Sequence, residues 1–305
     1  MRVGFDLVSP RLAAVRSAAA EGYCPSILNR IAFHPRVYKL VGLRAFLGGG
    51  YGLFIGTENR RWFARWGVPE HRLFHVRYAV DNDALRAAAS ELAPRREQLR
   101  AELGIEHEAG PVILTVGRLI PTKQPLHLLE AFRQVRANRR CTLFVVGSGP
   151  LEHELCQKVA AEAIPDVRFA GFLDQTQVAR AYVAADVFAL VSSHDETWGL
   201  VVNEAMNFGL PIVVSHRVGS GADRAQSGHN GFVVPHDDLD ALIATLDRLV
   251  VSGDLRTRLG EASQEMISSW TYDVTAAGLV AAVRAAVGES RWALAEASAR
   301  ERAPA

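Results

Sequence analysis

SHDETWGLVVNEAMNFG, Ser193–Gly209, is the stretch on which the fold of this chain turns. An apolar run, DVFALV (186–191), precedes it, and another, PIVV (211–214), follows. Between them lie a charged loop with His194, Asp195 and Glu196, the pair Trp198–Gly199, and a segment of helical character carrying Glu204. Strand, charged loop, glycine and helix is the arrangement by which α/β proteins present a ligand to a helix amino terminus. Glu196 and Glu204 are eight residues apart. A helix starting near Gly199 leaves Glu196 just ahead of it and puts Glu204 roughly 7–8 Å along the axis, at about 1.5 Å per residue. Two carboxylates so placed can reach one extended ligand. The spacing alone is a weak signal, because two glutamates fall this far apart by chance in many chains.

Working outward, the same alternation continues on both sides. Strand-like runs fall at Val112–Val116, Thr142–Val146, Val167–Ala170, Val187–Val191, Ile212–Val214 and Phe232–Val234. Helical stretches alternate with them at Gln124–Asn138, Leu151–Ala163, Gln175–Ala184, Gly199–Phe208 and Leu239–Val250. Short β-branched runs between helices imply a parallel sheet covered on both faces. Residues 253–287 read as all-helical and Arg291–Ala305 as a frayed tail. Before residue 104 the reading is a strand at Tyr51–Ile55, a helix at Asn59–Trp66, a strand at Arg72–Val76 and one charged helix over Leu85–Leu103. Gly104–Gly110 is the linker candidate. Residues 1–36 carry no motif, although Arg2–Leu7 is strand-like and Arg11–Glu21 is alanine-rich and helical in character. Asn29–Phe46 alternates Arg30, Arg36, Lys39 and Arg44 with apolar residues. Such a segment lies on an anionic membrane surface or packs by its apolar face with a solvated basic side; both readings stay open.

A length of 305 residues suits two domains. With 49% hydrophobic and 22% charged residues the composition is that of a globular protein, and a net charge of +1 gives no basic excess for nucleic acid. Cys24, Cys141 and Cys156 are odd in number and form no CxxC, which argues against a disulfide framework or a structural zinc. The start, MRVGFDLVSP, lacks the apolar core of a signal peptide, and no run reaches the roughly 18 apolar residues of a spanning helix. The expectation is a cytoplasmic protein.

Polar and glycine residues gather where the strand-like runs end. Gly117–Arg118 follows the first, Gly147-Ser148-Gly149 the second, Gly171 the third, His194–Glu196 the fourth and His216–Gly219 the fifth. Ligands of open parallel sheets bind at those carboxyl ends. Lysine occurs three times among 34 basic residues, so Lys123, close to Arg118, is informative. An arginine fork and a lysine point charge beside a helix start suit a diphosphate. Glu204 can accept two hydroxyl donors from a diol, and Glu196 can meet a second part of the ligand. Three adjacent residues, His194-Asp195-Glu196, rarely converge on one metal, and no hydrolase motif with supporting context occurs.

From about Tyr51 to Val287 the chain resembles the retaining GT-B glycosyltransferases of family 4, the group 1 glycosyl transferases. The matching pieces are VGRLIPTKQPLHLLEAF (116–132), LFVVGSGP (143–150), VRFAGFL (167–173) and AYVAADVFALVSSHDETWGLVVNEAMNFGLPIVVS (181–215), continuing into VGSGADRAQSGHNGFVVPHDD (218–238). The Glu-x7-Glu signature falls on Glu196 and Glu204. The resemblance implies two Rossmann-like domains: a partial acceptor-side domain over 1–105, a nucleotide-sugar-binding domain over 106–270, and a helix with tail over 271–305 crossing back to the first. It implies Arg118 and Lys123 on the donor diphosphate, Glu204 on the ribose and Glu196 near the donor sugar. Gly117, Gly147, Gly149, Gly171 and Trp198 would line the donor site, with backbone contacts from Gly199, Leu200 and Val201. The reaction implied is transfer with retention from a nucleotide sugar to a glycan or lipid-linked acceptor in cell-envelope polysaccharide or glycoconjugate synthesis. It needs no cofactor and no obligatory metal. Residues 29–46 would supply any contact with the inner face of the membrane.

The chain departs from the family pattern in several places. Thr197 and Trp198 stand where another residue and Phe are common, Ser220 replaces a second glycine, Asp223 a glutamate and Arg224 an apolar residue. Only about 105 residues precede the linker, where the acceptor domain of this fold uses well over a hundred, and Tyr51–Asp83 matches only its last third. The shortfall reads as an incomplete N-terminus or as a reduced copy. A nucleotide-sugar-binding protein without catalysis is therefore the alternative expectation; an epimerase or phosphorylase on the same fold is less favoured by the Glu-x7-Glu context.

Overall fold

A computed structural model describes residues 42–44, 47–106, 110–194 and 196–288. The strand read at Arg2–Leu7, the helix at Arg11–Glu21, most of the basic segment 29–46 and the tail after 288 lie outside the described residues. Six parallel strands form the central sheet: β3 (Val112–Val116), β4 (Thr142–Val146), β5 (Val167–Gly171), β6 (Val187–Leu190), β7 (Ile212–Ser215) and β8 (Gly231–Val234). Their order is β5-β4-β3-β6-β7-β8, the doubly wound arrangement with its switch point between β3 and β6. Two short parallel strands, β1 (Gly52–Phe54) and β2 (Leu73–His75), make a separate ribbon joined by helix α1 (Thr57–Arg65).

The six runs become strands because they are apolar on both sides. Alternate residues of one strand serve opposite faces. Val112, Leu114, Phe188, Leu190, Ile212 and Val214 pack into one core with α6 (Gln175–Ala184) and α7 (Leu200–Asn207). Ile113, Leu143, Val145, Val187, Ala189 and Val213 pack into the other, under α4 (Pro125–Arg136), α5 (Glu152–Ala161) and α9 (Leu239–Val251). Helix starts follow local chemistry. Asp174 caps α6 by accepting from Thr176 and Gln177 N–H, both at 2.9 Å, within a capping box. Asp238 does the same for α9 through Ala241 N–H at 2.9 Å.

One sequence expectation is corrected. The single helix over Leu85–Leu103 is two, α2 (Asn82–Leu92) and α3 (Arg96–Glu102), parted by a 3-10 turn at Ala93–Arg95. Pro94 cannot donate the helical hydrogen bond, so the first helix stops ahead of it. The break turns Arg96 and Arg100 onto the end of α6. Arg96 donates to the Val183 and Ala185 carbonyls at 2.9 and 3.0 Å, and Arg100 to that of Ala184 at 2.9 Å. Both arginines pair with Asp186, which burial alone would have raised but which they and the Val112 N–H hold below its ordinary pKa.

Two more helices follow, α10 (Gly253–Ser268) and α11 (Tyr272–Val287). α11 lies on the ribbon. Thr275 Oγ1 donates to the Arg77 carbonyl at 2.7 Å and Tyr51 Oη to that of Ala285 at 2.8 Å, while Gly278 presses its backbone against the His75 carbonyl. Asn82 ties the ribbon's end to the sheet unit: its amide donates to the Ile267 and Trp270 carbonyls at 3.1 and 3.0 Å and its oxygen accepts from Asn207 at 2.8 Å. No helix among the described residues is long and apolar enough to cross a membrane.

Candidate functional site

The switch point opens at the carboxyl ends of β3 and β6, where neighbouring loops diverge. On the β3 side the loops after β3, β4 and β5 are laced by backbone hydrogen bonds. Gly117 N–H donates to Val146 at 2.9 Å, Leu119 to Ser148 at 3.0 Å and Gly147 to Gly171 at 2.7 Å. Gly147 makes this stacking possible: its φ is +127°, and a Cβ there would overlap the Gly117 carbonyl. Gly149 approaches the Leu119 carbonyl in the same way. Gly147 and Gly149, both after β4, thus let that loop stack closely on the loop after β3, whereas a Cβ at Gly117 or Gly171 would meet open space.

Lys123 and Glu196, 73 positions apart in the sequence, form an ion pair across the switch point. Glu196 Oε2 also accepts from Ser192 Oγ at 3.2 Å. The two loops are held together by Ser193 N–H donating to the Thr122 carbonyl at 2.8 Å. Gln124 ends the short turn carrying Lys123 in a left-handed conformation, φ 50°, and its amide nitrogen, turned to donate, reaches the Val191 and His236 carbonyls at 2.6 and 2.9 Å. Burial lowers the Lys123 pKa from its ordinary value. Arg118 is exposed beside the pair and enters no ion pair among the described residues. It shares a crevice with Gly117, Lys123 and Leu190.

Glycine again decides the opposite wall. Gly199, φ +82°, caps α7 in the left-handed region, so the chain turns sharply from the charged loop into the helix. Val202 N–H reaches back to Gly199 at 2.9 Å. Leu200 and Val201 open the helix, and their N–H groups belong to the first turn, which has no intrahelical acceptors. Glu196 sits just ahead, in a parallel bridge with Val218 that Gly219 N–H reinforces at 2.9 Å. Glu204 lies farther along α7, where Tyr182 Oη donates to its Oε2 at 2.7 Å. Burial raises the Glu204 pKa, and the tyrosine bond only partly offsets this. One side therefore presents Arg118 and Lys123, the other a helix amino terminus and a hydrogen-bonded carboxyl, with Glu196 between.

Trp198 does not line this opening. Its side chain is 3% exposed and stacks on Trp270, ring centroids 5.4 Å apart, with Gly56 against its edge. Only its backbone faces the loops, accepting from Ser220 N–H at 3.0 Å. A large apolar ring before Gly199 finds the core more favourable than the rim. Sequence reasoning also missed Tyr182, Thr122, Gln124 and the pairing of Asp223 with Thr57, whose N–H and hydroxyl it accepts at 2.9 and 2.7 Å. Their partners lie 22 to 166 residues away for the side-chain pairs Tyr182–Glu204 and Asp223–Thr57, and no local pattern announces them. Among the described residues no three His, Cys, Asp or Glu side chains group as metal ligands.

The chain is similar in sequence and fold to known proteins. The family model described as "Glycosyl transferases group 1" matches residues 95–266. A D-inositol 3-phosphate glycosyltransferase of Frankia alni is 33% identical over 269 residues, which cover 84% of this chain and 64% of that protein. The chain thus spans less than two thirds of that relative's length. Among solved structures, Anabaena HepE in complex with UDP and glucose superposes with a TM-score of 0.65 at 19% identity, covering 84% of this chain and 69% of that one. A glycosyltransferase of Rickettsia africae gives 0.71 at 14% identity, covering 93% and 84%. At such identities the likeness is one of fold.

Proposed function

Because this chain belongs to the group 1 glycosyl transferases and has their GT-B type α/β fold, we propose that it moves a sugar from a nucleotide-sugar donor to a glycan or lipid-linked acceptor with retention of configuration. The observation that carries the reading is the contact of Lys123 with Glu196 across the switch point, beside Arg118 and the start of α7. In the free site Glu196 balances the lysine. A donor diphosphate brings its own charge to Arg118, Lys123 and the Leu200 and Val201 N–H groups, and this frees Glu196 to accept from a sugar hydroxyl. Glu204, oriented by Tyr182, accepts from the ribose diol.

In the transfer step the bond from the sugar C1 to the diphosphate oxygen breaks and one from C1 to the acceptor oxygen forms on the same face. The acceptor proton passes to the departing diphosphate oxygen, so no separate base is required. The charge that develops on the leaving group meets Arg118, Lys123 and the helix terminus, an electrostatic stabilisation fixed before the reaction starts. Neither a metal nor another cofactor is needed for this step. The Anabaena protein's complex with UDP makes uridine nucleotide sugars the first donors to try. Cell-envelope polysaccharide or glycoconjugate synthesis, at the inner face of the membrane through residues 29–46, is the setting that fits such donors and acceptors.

Arg118→Ala and Glu204→Ala are expected to weaken nucleotide-sugar affinity, each by roughly tenfold or more, in calorimetric titration. Unchanged affinity in both would refute this site. Donor hydrolysis or transfer separates an enzyme from a protein that only binds the nucleotide sugar: binding with no turnover toward any acceptor or water establishes the second reading.

A further inference from the structure

A second concavity lies at the other end of the sheet. A groove of about 700 Å³ runs beneath the amino ends of β6 and β7, where Asp186 and Pro211 enter those strands, between α2 and the start of α10. Its floor is apolar, with Tyr182 and Phe208 stacked at 5.1 Å beside Leu210 and Pro211. Its wall is cationic. Arg96 and Arg256 line it, with Arg100 behind.

These guanidiniums are anchored but not used up. Arg256 Nη1 donates to the Leu249 and Val250 carbonyls at 2.6 and 3.0 Å, which leaves Nε and Nη2 without a partner among the described residues. Arg96 engages Nε and Nη2, leaving Nη1. Two acids stand against the three arginines. Asp186 spends both oxygens on Arg96 and Arg100 and also accepts the Val112 N–H at 2.7 Å, and Asp254 sits exposed on the rim in the first turn of α10. Burial pulls the Arg256 pKa below its ordinary value; Asp186 opposes this, and Arg96 and Arg100 add to it. Rigid forks fixed by backbone carbonyls, on two arginines that line one cavity and keep spare N–H groups, suit a tetrahedral dianion. The half-buried Phe208 ring, backed by the fully buried Tyr182, suits the organic body of the molecule that carries it.

We propose that this groove is a second ligand site, distinct from the strand-end site, for a small phosphate ester whose phosphate sits between Arg96 and Arg256 and whose apolar or ring portion rests on Phe208 and Pro211. The groove backs onto Tyr182, whose hydroxyl holds Glu204 of the strand-end site, but the proposal does not depend on the reaction assigned above, because Arg96 and Arg256 lie at the amino ends of the strands.

Phenyl phosphate and inorganic phosphate, titrated calorimetrically into the full chain, test it. A protein carrying Arg118→Ala should keep one saturable phenyl phosphate site, with inorganic phosphate weaker because it lacks the ring. Arg256→Met, which keeps the stem and removes the fork, should weaken phenyl phosphate by roughly ten- to a hundredfold. Ser90→Trp, on the exposed groove side of α2, should block the ligand without removing a structural partner, so it keeps the test decisive if Arg256→Met melts early. Absence of saturable binding to the Arg118→Ala protein would overturn the proposal. So would wild-type affinity in both Arg256→Met and Ser90→Trp.

Discussion

Burial sets the chemistry of Glu204. Its pKa is raised by desolvation, so the carboxyl favours the fold while protonated: that contribution is full below the ordinary carboxylate value and is lost as pH climbs through the raised one. A diol donating to the carboxylate favours the charged form instead. Donor binding should therefore release a proton in mildly acidic solution, and affinity should strengthen as pH rises through that window. Calorimetry in buffers of different ionisation enthalpy reads the proton directly, and Glu204→Gln should abolish both effects. Arg224 shows burial only partly compensated, by the Asp223 carbonyl that Nη1 reaches at 3.2 Å, by the nearby Asp223 charge and by a ring contact. It is 1% exposed, its guanidinium lies 3.0 Å from the centre of the Trp270 ring, and Nε and Nη2 have no hydrogen-bond partner. Burial is the main cause that draws its pKa down to about 8. Removing a buried, poorly paired charge while keeping the apolar stem is often favourable, so Arg224→Met should stabilise the protein by about 1–3 kcal/mol in urea denaturation. The sequence marks Arg224 as a departure from the family pattern, but its cost is invisible there, because Trp270 lies 46 positions further on.

At the scale of elements, what was legible is what local chemistry dictates. All six strands of the sheet could be read because each is a four- or five-residue apolar run bounded by polar or glycine residues, and their strand-end loops could be read with them. Leu85–Leu103 reads as one helix because its charge pattern is periodic across Pro94, while its backbone is not. Trp198 was misplaced because a ring beside a glycine reads the same from either side of the sheet surface. The loop glycines offer the sharpest check. Gly147→Ala puts a Cβ against the Gly117 carbonyl at a left-handed φ, so it should cost at least about 2 kcal/mol and weaken nucleotide binding together with stability. Urea denaturation beside calorimetric titration measures both; a stable variant with full affinity would show that the three loops need not stack.

The whole molecule is held by long-range stitches that sequence does not advertise. Asn82, buried between α2 and α7, satisfies two carbonyls and one amide at once. Asn82→Ala removes all three bonds, although the Ile267 carbonyl keeps the Trp270 N–H and the Asn207 amide keeps the Asn203 carbonyl, and a loss of about 1–3 kcal/mol is expected, with chemical denaturation as the measurement. A loss below 0.5 kcal/mol, of the order seen at surface positions, would mean that water replaces the side chain freely. The contact of α11 with the ribbon has a further consequence, which concerns time. Thr275 and the Arg77 carbonyl that it caps are separated by 198 residues. At roughly 5–20 residues per second, the β1–β2 ribbon leaves the ribosome about 10–40 s before the helix that covers it. Through that interval an apolar, two-stranded parallel ribbon waits uncovered, too small to be stable alone. Newly made chains should therefore be vulnerable to chaperone capture and proteolysis at the β1–β2 ribbon, and be released from that risk only when α11 arrives.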